Sequence, residues 1–428
     1  MKHEELRIAI VAPHASARFG GESILPLHYF RQLRARQVDV WMVLHERTRD
    51  ELTEILGDDI ERVHFVRDLA AEKLLARLSQ LLPARVGENT FGFALYALGQ
   101  LRQRQVLKQL VAERDIHVVH EPSPVSPKTP SFIFGLGVPV VIGPMNGGMT
   151  FPPPFAHMQG RGERLFVNAA RRATRVVNWL LPGKRRAAAL LVANARTRRA
   201  LAVPLDERVI QLVENGVDFD VFDGRRVERK TCDGAERPVS LMFVGRLVDW
   251  KALDLLLEVL ADLKELPFEL QVLGDGPERA RLEAQSERLG LGDRVHFHGF
   301  LPQRECAERL AAADALVLPS LYECGGAVVL EAMAMGLPVI AHDWGGPADY
   351  LDESCGILLD PTEGVESLKK QWAGAVRRLV ENPELRRALG RAGYDKVRRE
   401  FSWSKKVDAV WTIYRQVAGR NETRPATE

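Results

Sequence analysis

Short apolar, β-branched runs alternate along the chain with longer segments whose apolar positions recur at helical spacing. Apart from Arg7, Leu6–Ala12 is wholly apolar, as expected of a parallel strand covered on both faces. Val38–Leu44, Ile116–His120, Val138–Ile142 and Leu190–Ala193 continue the series. The pattern then restarts. Val239–Val244, Phe268–Leu273, Arg294–Phe297, Ala315–Leu318 and Pro338–Ala341 predict a second set of strands, separated by helical stretches such as Leu253–Leu266 and Pro277–Leu289. Strands alternating with helices predict an α/β fold, and two such sets predict two doubly wound domains facing a cleft. A turn signal, Asn215-Gly216, places the hinge within Val213–Phe222, and a polar stretch from Gly224 to Arg237 leads into the second set.

Composition changes this picture little. At 428 residues the chain is too long for one ordinary core, and 46% hydrophobic with 27% charged residues suits a globular protein. The 59 basic residues nearly balance the 57 acidic ones, so no global field points to nucleic acid. Locally the balance fails. Between Arg161 and Arg199 eleven Lys or Arg face a single acid, Glu163, and apolar runs such as Trp179-Leu180-Leu181 interleave with them. Such a segment is either a solvated face beside a phosphate-handling cleft or a surface that holds anionic lipid headgroups or an anionic substrate. Cys232, Cys306, Cys324 and Cys355 show no metal-ligand spacing and read as reduced thiols. The N-terminal MKHEELRIAIVAPH runs straight into a strand, and no stretch approaches bilayer-spanning length. A cytoplasmic protein, peripheral at most to the inner membrane face, is the expectation.

Ligands of open α/β sheets gather at the carboxyl ends of strands, which directs attention to the turns. After the first strand, Gly20-Gly21 opens a helix and offers amides to an anion. In the second half the equivalent place reads Val244-Gly245-Arg246-Leu247, with Lys251 following. Two cations leaving one strand end suit a diphosphate leaving group, whose developing charge needs neutralising. Further on, Glu323 precedes the turn Cys324-Gly325-Gly326, and Glu331 is expected two turns into the helix that this turn opens. Carboxylates in those places can accept from sugar and ribose hydroxyls while the Gly325, Gly326 and Ala327 amides face the ligand.

Taken in order, Gly20-Gly21, Asn215-Gly216-Val217-Asp218, Gly245-Arg246-Leu247 with Lys251, Gly274-Asp275-Gly276 and the E-x7-E pair Glu323 and Glu331 resemble the retaining glycosyltransferases of family 4. The resemblance implies the GT-B architecture of two Rossmann-like domains, with a C-terminal helix returning to the first. The domains are then 1–213 plus 404–428 on the acceptor side and 214–403 on the donor side. It also implies roles. Arg246 and Lys251 bind the donor diphosphate, Glu331 the ribose, and Glu323 the transferred sugar. Gly20-Gly21 approach phosphate or acceptor, His120 stands near the sugar, and Asn146-Gly147 line the acceptor side. The reaction implied is hexose transfer from a nucleotide-diphosphate sugar to a glycan, lipid-linked or small-molecule hydroxyl, by front-face substitution with retention. No cofactor and no metal is expected; Asp218-Phe219-Asp220 belongs to the hinge. A non-catalytic nucleotide-sugar or carbohydrate-binding protein, and a GT-B epimerase or phosphorylase, are the alternatives. Two departures stand out. Ala252 follows Lys251 where the family has glycine, and Cys324-Gly325 replace an aromatic residue and glycine, leaving the sugar-facing loop without its bulky wall.

Overall fold

A computed structural model describes residues 6–18, 21–67, 84–159, 177–226 and 237–422. The chain divides into two compact units, Met1–Gly148 with Phe166–Glu214 and Ser404–Glu428, and Met149–Leu165 with Asn215–Trp403.

The first unit is built on a seven-stranded sheet. Its strands are β1 (Arg7–Val11), β2 (Asp39–His45), β3 (Val63–Val66), β4 (Val118–Glu121), β5 (Val140–Met145), β6 (Ala189–Val192) and β7 (Val209–Gln211). They lie in the order β3-β2-β1-β4-β5-β6-β7, all pairs parallel. Ala9, Val11, Val43, Val119 and Leu190 are wholly buried against Leu107 of the long helix Ala84–Arg114. The second unit holds β8 (Val239–Val244), β9 (Phe268–Leu273), β10 (Val295–Gly299), β11 (Ala315–Leu318), β12 (Val339–His342) and β13 (Gly356–Leu359). These run parallel in the order β10-β9-β8-β11-β12-β13. Trp372, on helix Val365–Glu381, is wholly buried and donates its indole N–H to His342 Nε2 at 2.9 Å.

The structure adds three strands to those predicted from the apolar runs, and each of them, β3, β7 and β13, is a sheet edge. An edge strand is covered on fewer sides, so its sequence lacks the continuous apolar run of a central one. The segment after Gly148 also departs from the sequence reading, which assigns it to the first domain. Its described part packs within the second unit. Thr150 O accepts from the Trp344 indole at 2.8 Å, and the Phe151 ring lies 5.1 Å from that of Tyr322.

Candidate functional site

In both sheets the order reverses beside the first strand, and in the second unit this leaves a crevice between the ends of β8 and β11. The exit loops of those two strands carry the charged residues. A backbone bond joins the loops, from Leu321 N to Trp250 O at 2.9 Å. Across the same gap the Lys251 ammonium pairs with a Glu323 carboxylate oxygen. Both side chains are largely covered, 13% and 16% exposed. Arg246, on the β8 loop, is exposed and forms no ion pair with another described residue. The crevice therefore holds one cation already fixed by a carboxylate and one still open to an anion.

Glycines make this packing possible by letting backbone touch backbone. A Cβ on Gly274 would lie 1.9 Å from Gly245 O, and one on Gly276 2.2 Å from Leu247 O. The Gly274-Asp275-Gly276 turn thus braces the loop bearing Arg246. A Cβ on Gly346 would meet Gly325 O at 2.1 Å, while Gly346 N donates to Glu323 O at 2.7 Å. The β12 exit loop therefore fixes the turn that carries Glu323. Gly326, at φ +71°, caps the helix Ala327–Ala334.

Ala252 occupies a left-handed position, φ +49° and ψ +34°, between Lys251 and the helix Leu253–Ala261. A non-glycine residue there is strained by about 1–2 kcal/mol. Replacing Ala252 by glycine is therefore expected to stabilise the second unit by about 1 kcal/mol and raise Tm by about 2–4 °C. Calorimetric melting checks this; a lower Tm would mean that the packing of the buried methyl outweighs the strain.

Glu331 is the fifth residue of the helix Ala327–Ala334, so it stands just over one turn in, where the sequence reading expects two. Burial pushes its carboxyl up to about 7, against an opposing hydrogen bond from Gln303. Gln303 escaped the sequence reading because it lies on another helix, Gln303–Ala312, with no local signal linking it to Glu331.

The first-unit candidates fare differently. Gly20 lies outside the described residues, as does the stretch 160–176 of the basic segment. Gly21, at φ +55°, starts the 3-10 turn Gly21–Ile24, which runs directly into the helix Leu25–Ala35. His120 is wholly buried. Its Nε2–H donates to Gly143 O at 2.6 Å, and its Nδ1 accepts from the Tyr414 hydroxyl at 2.6 Å. Burial holds its pKa down at about 4. His120 is thus a packed strand-end histidine with both nitrogens engaged. Asn146 and Gly147, expected to line the acceptor side, are buried too. Asn146 Nδ2 donates to Glu214 at 2.5 Å, and Gly147 N donates to Thr197 Oγ1 at 3.0 Å. Of the basic segment's described part, Trp179 and Leu180 are exposed beside Arg185. Asp218 Oδ1 accepts from Asp220 N at 3.0 Å, closing the hinge turn. Among the described residues Cys306, Cys324 and Cys355 form no disulfide, while Cys232 lies outside the described residues.

These features coincide with a known sequence pattern. Residues 226–396 match the family model of glycosyl transferases, group 1. The chain is 32% identical over 256 residues to the 2-deoxystreptamine glucosyltransferase of Streptomyces kanamyceticus, covering 58% of this chain and 64% of that one. It is also 32% identical over 221 residues to the D-inositol 3-phosphate glycosyltransferase of Segniliparus rotundus, covering 49% and 47%. The chain thus spans less than two thirds of the length of these curated relatives. Among solved structures it resembles the Anabaena protein HepE in complex with UDP, with TM-score 0.64 at 16% identity, covering 96% of this chain and 100% of that one. The sucrose-phosphate synthase of Thermosynechococcus elongatus gives TM-score 0.65 at 20% identity, covering 97% and 100%. The fold is GT-B, two units each with a parallel sheet. Arg246, Lys251, Glu323 and Glu331 all fall inside the segment matched to group 1, whereas Gly21, His120 and Asn146 lie outside it. Among the described residues, no helix is long and apolar enough to cross a membrane.

Proposed function

We propose that the chain is a retaining glycosyltransferase that moves a hexose from a nucleoside diphosphate sugar to an acceptor hydroxyl, without a metal ion. The observation that carries this reading is the Lys251–Glu323 pair spanning the β8/β11 crevice, with Arg246 open on the same loop. A switch-point crevice is where α/β sheets hold nucleotides, and two cations at one strand end match a diphosphate. The names of the curated relatives, a glucosyltransferase among them, support the class of reaction.

In this mechanism the bond from the anomeric carbon to the diphosphate oxygen breaks while a bond to the acceptor oxygen forms on the same face. The acceptor proton passes to the departing diphosphate oxygen, so no protein base is needed. Arg246 and Lys251 stabilise the charge that develops on that oxygen. Glu323 orients the Lys251 ammonium and accepts from the sugar, and Glu331 accepts from the ribose hydroxyls. The Gly325 to Ala327 backbone lies alongside at the helix mouth. With Cys324 in place of a bulky residue, the sugar-facing loop admits a donor that its family resemblance does not name.

A thermal-shift screen against uridine, guanosine and adenosine diphosphate sugars tests the reading. One base is expected to raise Tm by several degrees in the unmodified chain, and the shift should vanish in the Arg246→Ala, Lys251→Ala double variant. If no nucleotide sugar shifts Tm and none is hydrolysed, the chain is not a transferase of this kind.

A further inference from the structure

Three consecutive residues, Met149, Thr150 and Phe151, grip the two loops that shape the Glu323 turn. Met149 is buried and lies against Gly345 on the β12 exit, where a Cβ would stand 2.7 Å from Met149 Cε and 2.8 Å from its Sδ. The Thr150 carbonyl accepts from the indole of Trp344 at 2.8 Å. The Phe151 ring lies 5.1 Å from that of Tyr322, the residue before Glu323. We propose that this strap decides which donor sugar is accepted: it fixes the position of the Glu323 turn, and the Phe151–Tyr322 pair stands in for the bulky wall that Cys324 leaves out. The proposal rests on the transferase reading above and names the residues that set the selectivity of that site.

The β12 exit is shaped for two partners at once. On one side Gly346 N donates to Glu323 O at 2.7 Å, and Gly345 has no room for a Cβ against that same oxygen. On the other side the Gly345 position is closed by the Met149 thioether. Gly345 also sits at φ +74°, where a side chain is strained. Met149 therefore presses on the residue that presses on Glu323. Interiors packed this closely transmit a change of volume instead of absorbing it, so a smaller residue at 149 shifts the backbone that carries the Glu323 carboxylate.

The strap is stiff where it leaves this contact. Pro152, Pro153 and Pro154 follow Phe151 and fix φ at three successive positions. The 3-10 turn Pro153–Met158 comes next, with Phe155 buried and its N–H bonded to Pro152 O at 2.9 Å. A binding site selects only if its walls are held to within about 0.5 Å, and this segment meets that need better than an open loop. Glu323 is held from its other end too, because Lys251 pairs with the carboxylate. A sugar hydroxyl that reaches Glu323 thus meets a turn clamped at backbone and side chain, beside an aromatic pair whose rigid apolar surface suits the C–H face of a hexose.

Kinetics on the full chain test this, with water as acceptor and a hexose, an N-acetylhexosamine and a hexuronate donor of the base that the thermal-shift screen selects. Small changes in a pocket wall alter discrimination by about 10- to 200-fold. Phe151→Ala and Met149→Ala are therefore expected to change the ratio of kcat/KM between the hexose and the N-acetylhexosamine donor at least tenfold, in favour of the bulkier one. Free nucleoside diphosphate, measured by calorimetry, should bind each variant within twofold of the unmodified chain. Met149→Leu, which keeps the volume, should restore the original ratio, and Trp344→Phe, which removes only the indole hydrogen bond, should shift it less than Met149→Ala. Ratios within threefold of the original in both alanine variants overturn the proposal. Equal loss for all donors, or loss of free nucleoside diphosphate with them, overturns it too, since either marks a general support of the fold. An unmodified chain that neither binds nor hydrolyses any nucleotide sugar sinks the transferase reading itself, whereas a selective chain whose preference no variant moves sinks the strap alone.

Discussion

Alanine in place of Lys251 is expected to lower turnover of the nucleotide sugar by about 10²–10³-fold, the usual loss when one preorganised donor to a developing oxyanion is removed. The ammonium does its work late, when the diphosphate oxygen gains charge, so kcat should fall more than the donor KM rises. Binding of the bare nucleoside should be untouched. The variant also strands Glu323, only 16% exposed, without its partner, and a covered carboxylate without a partner destabilises the fold. Two effects are therefore superimposed, and a second substitution separates them. Lys251→Ala combined with Glu323→Gln should regain most of the lost Tm but none of the lost turnover. Steady-state kinetics and melting on the four proteins of this cycle give the answer. Turnover by Lys251→Ala within threefold of the unmodified chain would falsify the assignment of Lys251 to the leaving group.

Nucleoside diphosphate affinity should rise with pH through about 7, because Glu331 must be ionised to accept from two ribose hydroxyls and burial holds its carboxyl up at about 7. Below that value the dissociation constant is expected to grow by up to about tenfold per pH unit. Stability of the unliganded protein carries the opposite sign. A carboxyl whose folded value exceeds its usual 4.5 contributes most below 4.5, and that contribution is lost as the pH rises towards about 7. The Tm increase caused by nucleotide should therefore widen between pH 5.5 and 8 even as the free protein's own Tm, from this group, declines. Glu331→Gln removes both slopes. It should also weaken nucleotide at pH 8 by about 10- to 100-fold, the worth of hydrogen bonds to a charged acceptor. Titrations at several pH values that show a flat affinity in the unmodified chain would dissociate Glu331 from the ribose.

The central strands of both sheets were legible because apolar runs dominate them, Ile8–Val11 in β1 and the whole of β11, as covered faces demand. Gly274 and Gly276 were equally legible as features of a strand-end turn, although only the structure shows that each lies against the backbone of the neighbouring loop. Other features depend on partners far along the chain. Nothing near His120 announces Tyr414, 294 positions away, which takes up its Nδ1. Nothing near Glu331 announces Gln303. The strain at Ala252 was foreshadowed by the glycine expected after Lys251, since a family glycine often marks a left-handed position.

The Tyr414–His120 bond has a consequence for how the molecule is made. The helix Trp403–Glu422 completes the core of a unit whose first strand begins at Arg7, so the second unit's sheet is synthesised whole before the first can close. Domains fold as units while the chain emerges, yet here the earlier one must wait, with its β4 end uncapped, until the last helix arrives. The unit that starts first finishes last, and the interval is when its apolar sheet is most open to chaperones or to its own kind.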